Sequence, residues 1–158
     1  MNPYQIITNS VEETQAIAKR FAKYLKPGHV IALEGDLGVG KTIFAQGLAK
    51  GLEIKQTVNS PTFTIIKEYQ GRLPFYHMDV YRLEDENEDL GFEEYFFGEG
   101  VTVVEWAEII QEYLPKELLK IKITRLDDES RRLIIFEPKG EEYLKLCEEF
   151  FQHENISA

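Results

Sequence analysis

The sequence predicts an α/β fold in which helices flank a central sheet of mixed parallel and antiparallel strands. Three observations carry this. The apolar run Val30, Ile31, Ala32, Leu33 leads into the glycine-rich stretch EGDLGVGKT, and Ile43, Phe44, Gly47, Leu48, Gly51 and Leu52 then recur at helical spacing. That is the order of a buried strand, a tight loop and a helix. Two β-rich runs flank a Gln70-Gly71 turn signal, which reads as a hairpin and makes the sheet mixed. Helical patterns stand near both ends of the chain.

The elements follow in order. Ser10 and Glu13 fit a capping box, with Ile17, Phe21 and Leu25 at four-residue spacing, so a helix is predicted from about 10 to 25. KPGH ends it, and His29 reads as a loop residue before the first core strand. VTVVEW reads as another short buried strand, the stretch from Leu118 to Pro138 as a closing hairpin around Asp127 to Ser130, and EEYLKLCEEFFQ as an amphipathic terminal helix. From Glu84 to Glu99 there are eight acidic side chains and no basic one, interleaved with Leu90, Phe92, Tyr95, Phe96 and Phe97. Two readings stand: a solvated loop and short helix that tucks its aromatics into the core, or a docking surface with aromatic anchors.

At 158 residues and 43% hydrophobic, the chain is long enough for one core and short for two ordinary domains. Residues 1–158 are therefore read as one domain, its core spanning about 10–137 and its C-terminal helix about 141–152. Eighteen basic against 28 acidic residues give a formal charge of −10, which opposes tight binding to a polyanion. No apolar run approaches the ~18 residues of a membrane span, and MNPYQIITNS lacks the marks of a signal peptide, so a cytoplasmic protein is expected. The single cysteine, Cys147, excludes an intrachain disulfide and reads as a small apolar residue of the last helix. The three histidines are too scattered to suggest a metal site.

Gly35, Gly40, Lys41 and Thr42 fit G-x-x-x-x-G-K-[ST], the pattern of a phosphate-binding loop. The loop Gly35, Asp36, Leu37, Gly38, Val39 and Gly40 would close its N–H groups around phosphates at a helix N-terminus, where free donors and the dipole both favour an anion. Lys41 would reach the outer phosphates, and the Thr42 hydroxyl a magnesium ion. The predicted fold is thus P-loop NTPase-like. Such a site needs a carboxylate at a strand end, and Asp79 and Glu105 both qualify: one can serve the metal while the other orients or deprotonates the attacking water, with a surface acid at a strand end as the alternative for either. Ser60 and Thr62, around Pro61, sit where nucleotide hydrolases carry a γ-phosphate-sensing loop, with a structural turn as the alternative. Trp106 reads equally as a core residue or a wall of the site. A guanine-reading [NT]-K-x-D segment is absent; Thr124-Arg125-Leu126-Asp127 lacks its lysine, and ATP is favoured.

GDLGVGKT, SPTF, YHMDVYRL, LGFEEYF and VEWAE, in this order and spacing, resemble the bacterial TsaE family, the ATPase of tRNA threonylcarbamoyladenosine biosynthesis. The resemblance runs from roughly Ser10 to Phe136. It implies a compact P-loop fold, ATP and Mg2+ as ligands, and a weak ATPase working with the TsaB and TsaD proteins, TsaD carrying out the transfer to adenosine. By resemblance, Lys41 and Thr42 are the phosphate lysine and magnesium threonine, Asp79 the acid of an HxD motif, and Glu105 with Trp106 the EW pair, with Glu105 at the magnesium site. An arginine near the nucleotide falls at Arg131, its register open against Arg132. Ile43 and Gln46 depart from a common threonine and arginine. The alternative from another class is a non-hydrolysing nucleotide-binding module that signals to a partner. A small-molecule kinase would need an acceptor pocket and further cationic clamps, neither of which the chain advertises.

Overall fold

The computed structural model describes residues 4–35, 40–59, 66–80, 91–126 and 130–154. In chain order these form β1 (Gln5–Thr8), α1 (Val11–Ala22), β2 (Val30–Glu34), α2 (Lys41–Gly51), β3 (Ile66–Gln70), β4 (Pro74–Asp79), α3 (Phe92–Phe96), β5 (Val101–Glu105), a 3₁₀ segment (Ala107–Tyr113), β6 (Leu118–Arg125), β7 (Arg132–Lys139) and α4 (Glu141–His153). The seven strands make one sheet in the order β1-β7-β6-β2-β5-β4-β3. Its middle, β6-β2-β5-β4, is parallel, and the outer pairs β1–β7, β6–β7 and β3–β4 are antiparallel. The expected mixed sheet and both expected hairpins are present; the Asp127 to Ser130 turn lies outside the described residues except for Ser130.

Burial explains the apolar runs. β5 is buried along its whole length and β2 at four of its five residues, because helices cover the sheet on one side and shorter elements on the other. Ile31, Leu33, Phe75, Val103 and Ile121 face α1, α2 and α4, meeting Phe21, Phe44, Leu48 and Phe150. Val30, Ala32, Met78 and Val104 face the opposite way, toward Phe92 and Phe96 of α3 and Ile110 of the 3₁₀ segment.

Helix α1 starts as expected, with the Glu13 backbone N–H donating to Ser10 Oγ at 3.1 Å, but it ends at Ala22 rather than near 25. A distant residue meets the carbonyls at and just beyond its end: Arg72 Nη2 donates to the Ala22 and Leu25 oxygens at 2.9 and 3.3 Å. β1 is an addition to the expected elements. Its four residues pair antiparallel with β7, a tertiary contact with little local signature. His29 lies in a loop but is buried. The Lys26 backbone N–H donates to its Nδ1 at 3.0 Å, so Nε2–H donates to Glu142 of α4 at 3.2 Å. Burial lowers its pKa against the opposing pull of Glu142, so this histidine withdraws stability as the pH falls through its ordinary value of 6.5. Cys147 is fully buried, and burial, with Glu148 adding, pushes its thiol up to about 12, in keeping with a packing role.

Helices α1 and α2 touch along Gly47 and Gly51. A Cβ at Gly47 would fall on the Gln15 carbonyl oxygen and 2.6 Å from the Ala18 methyl; one at Gly51 would fall on the Lys19 carbonyl oxygen and 2.5 Å from the Ala22 methyl. Each glycine costs helix propensity, yet the close approach packs α2 onto α1 and so sets where the N-terminus of α2 points. We expect Gly47→Ala and Gly51→Ala each to destabilise the fold by about 1–3 kcal/mol through overpacking, despite alanine's better helix propensity. Urea unfolding measures this, and an unchanged or raised midpoint would show that the helices separate without cost.

Candidate nucleotide site

The site lies where parallel strands end and α2 begins. Register sets Glu105 beside Leu33 of β2 on one side and beside Asp79 of β4 on the other, so two carboxylates come from adjacent strand ends about one strand spacing apart. Side chains alternate along a strand, which puts Phe75, His77 and Asp79 on the sheet face that α1 and α2 cover. Gly40 precedes α2 at a φ of +116°, a left-handed conformation open to glycine. Lys41 and Thr42 then begin the helix, their backbone N–H groups among those with no partner inside it.

Lys41, Glu105 and Asp79 are all buried. Lys41 Nζ stands 3.9 Å from Glu105 Oε1, and His77 Nε2 lies 2.7 Å from Glu105 Oε2. His77 is fully buried, and among the described residues its Nδ1 has no hydrogen-bond partner. Lys41 Nζ also sits 4.5 Å from the centroid of the Trp106 ring, a cation–π contact. Trp106 combines the two roles open for it, since it packs against the cluster around Phe92 and Ile110 and presents its ring to Lys41. Its backbone is left-handed, with φ 62° and ψ 37°, which is unusual for a bulky residue.

Among the described residues, the Lys41 ammonium is therefore held without being saturated. At 3.9 Å its ion pair is beyond hydrogen-bond length, and the ring face supplies attraction but no acceptor. Such a group can turn toward an incoming phosphate with little rearrangement. Among the described residues no three His, Cys, Asp or Glu side chains form a metal cage. The donors present suit Mg2+ all the same, because that ion keeps several waters and takes one or two carboxylates plus phosphate oxygens, here with the Thr42 hydroxyl, Asp79 and Glu105.

Of the other expected site residues, Gly35 follows β2, whereas Asp36, Leu37, Gly38, Val39, Ser60 and Thr62 lie outside the described residues. Arg132 lines a cavity of about 70 Å³ with Gly40, Ile43, Val11 and Ser130. Arg131 is not part of that lining; its carbonyl accepts from the Leu126 N–H at 3.2 Å. Gln46 holds its neighbours: Nε2 donates to the Val58 carbonyl at 2.8 Å, tying α2 to the segment that leads toward Ser60. A cavity of about 400 Å³ lies on the opposite sheet face, between Ala32, Ala107, Leu118 and Lys120, and contains none of the Lys41, Asp79 and Glu105 group. The sequence reading met His77 only as the histidine of the HxD motif and gave it no role. Its signal was there in the i, i+2 spacing from Asp79, which puts both residues on one face of a strand.

A glycine-capped helix bearing Lys-Thr, set after a buried parallel strand and facing acids on the next two strands, defines a P-loop NTPase-like protein. A solved structure agrees: that of YdiB from Bacillus subtilis matches with a TM-score of 0.82 at 50% identity, covering 96% of this chain and 95% of the other. The chain belongs to the TsaE family, whose model, described as threonylcarbamoyl adenosine biosynthesis protein TsaE, matches residues 8–134. A protein from Bacillus subtilis named tRNA threonylcarbamoyladenosine biosynthesis protein TsaE is 60% identical over 151 residues, 95% of each chain. One of the same name from Treponema pallidum is 39% identical over 131 residues, 82% of this chain and 97% of the other.

Trp106 is the sole tryptophan of the chain, which makes the Lys41 contact directly observable. Lys41→Met removes the cation from the ring, and the fluorescence of Trp106 should shift in wavelength or intensity without any nucleotide. Identical spectra for the variant and the parent would show that the ammonium does not sit over the ring.

Proposed function

We propose that the protein binds ATP with Mg2+ at Lys41 and Thr42 and hydrolyses it slowly, as an accessory to threonylcarbamoyladenosine modification of tRNA in the cytoplasm together with TsaB and TsaD. The observation that carries the reading is Lys41 at the N-terminus of α2, 3.9 Å from a buried Glu105 whose neighbour in register is Asp79. Names of relatives supply the pathway; the geometry supports the chemistry.

In this reading Lys41 leaves Glu105 and Trp106 for the outer phosphates, and Trp106 walls the space that the ammonium vacates. Thr42 and one of the two acids hold the metal, while the other acid orients or deprotonates the attacking water. Magnesium, when bound, supplies charge neutralisation across the phosphates. Arg132, beside Gly40, is the better placed of the two arginines to meet the nucleotide.

The acidic and aromatic stretch divides in a way that supports a partner. Residues 84–90 lie outside the described residues, but Phe92 and Phe96 are buried, whereas Phe97 is 72% exposed on a surface shared with Glu93, Glu94 and Glu99. An exposed aromatic among carboxylates suits a protein partner with a basic surface, and the net charge of −10 disfavours direct RNA contacts. Among the described residues no helix is long and apolar enough to cross a membrane.

Calorimetry with ATP and Mg2+ tests the site. Lys41→Ala should abolish tight binding, and unchanged affinity would remove the phosphate-site assignment. Asp79→Asn and Glu105→Gln should keep affinity within about tenfold, roughly 1.4 kcal/mol, while partner-stimulated phosphate release falls much further. Full turnover in both variants would refute their roles, and binding without any phosphate release would favour the non-hydrolysing module instead. With TsaB and TsaD immobilised, association should require ATP and should slow in Phe97→Ala. The chain alone should show no specific tRNA binding at physiological salt; tight tRNA binding, or association indifferent to nucleotide, would overturn the partner assignment.

A further inference from the structure

We propose that His77 is a positioning residue: its Nε2–H holds Glu105 Oε2 and so turns Oε1 toward Lys41 and the phosphate loop. The inference rests on the reading that Glu105 works at the nucleotide. The contact is short, at 2.7 Å, and both side chains are shielded from water, with exposures of 0% for His77 and 5% for Glu105. A carboxylate is an acceptor, so the nitrogen facing it carries the proton.

Among the described residues, nothing else around the histidine explains its presence. Nδ1 is buried and has no hydrogen-bond partner among them, and the Phe75 ring lies 6.1 Å away. Buried polar atoms in folded proteins are almost always paired. An apolar side chain would fill this place beside Phe75 without leaving an orphan nitrogen, so packing alone gives no reason for a histidine. The Nε2 contact with Glu105 does. Without it, Oε2 loses its donor in a dry site, and the cation among the described residues to which the carboxylate can turn is Lys41, now 3.9 Å from Oε1. A Glu105 drawn fully onto Lys41 competes with the phosphates for the ammonium and no longer presents a defined oxygen to metal or water. His77 therefore keeps Lys41 and Glu105 close but separate.

Two amides separate this role from a structural one. The Gln side chain can place its amide nitrogen, Nε2, near the position of the histidine Nε2, whereas the Asn amide reaches only as far as the histidine Nδ1. His77→Gln should keep ATP affinity and partner-stimulated turnover close to those of the parent; His77→Asn should lose roughly 10- to 100-fold in turnover, the usual loss when a carboxylate's supporting hydrogen bond is removed. Equal losses in the two variants would overturn the proposal. An independent arm uses the full chain without nucleotide: imidazole 15N–1H spectra should show a protonated, slowly exchanging Nε2 on His77 whose resonance moves in Glu105→Gln. An unprotonated Nε2, or a signal indifferent to Glu105→Gln, also overturns it, even if the amide variants do not fold. Absence of ATP turnover in the parent defeats the hydrolase reading alone, and the imidazole spectra then decide the His77 contact.

Discussion

The carboxylate of Glu105 is the constraint on which the site depends. It is buried, and a buried anion is stable only when its oxygens are satisfied. One oxygen takes a hydrogen bond from His77 and the other faces the Lys41 ammonium at a distance too long for one. The consequence is a coupled charge balance. Under the proposed function, Lys41 would leave Glu105 for phosphate, and the carboxylate would then lose the nearest cation it has among the described residues. The same carboxylate that steadies the lysine would then be suited to a divalent charge.

That balance works only because the backbone delivers the groups with little freedom. Parallel pairing of β2, β5 and β4 puts Leu33, Glu105 and Asp79 level at one sheet edge. Glycines 47 and 51 let α2 lie against α1, which itself packs on the sheet face through Ile17 and Phe21. Arg72, in the β3–β4 connection, donates to the carbonyls at and just beyond the end of α1 and so ties the hairpin carrying Asp79 to the helix that steadies α2. Lys41 is thus aimed by contacts far from any phosphate.

What the sequence made legible was local. The apolar run, the glycine loop and the spacing of Ile43 to Leu52 announced β2 and α2, because each signal lies within a few residues of the structure that it specifies. Turn residues likewise announced the two hairpins, and strand ends picked out Asp79 and Glu105. β1 went unseen because four residues at a sheet edge are ordered by pairing with β7, 127 or so positions away in sequence. Arg72 and His29 went unseen for the same reason, since their partners Ala22, Leu25 and Glu142 lie on other elements. His77 is the instructive case: the face it shares with Asp79 follows from strand geometry, but its bond to Glu105 requires knowing that β5 lies next to β4.

Trp106 links the two sides of the sheet. A left-handed bulky residue carries backbone strain on the order of 1 kcal/mol, and its surroundings must hold it there. They do so from both sides: the ring meets the Lys41 ammonium on one, and the Phe92, Phe96 and Ile110 cluster packs against it on the other. That cluster is also the floor of α3, whose following residue Phe97 is the exposed aromatic of the acidic surface. Contact at Phe97 and rearrangement at Lys41 therefore act on the two ends of one packed unit. Under the proposed function, a partner that shifted α3 would alter the support of Trp106, and a nucleotide that drew Lys41 away would remove the other half of that support. Each event would then change the energy of the conformation that the other requires, a physical route by which a partner could couple to the nucleotide site.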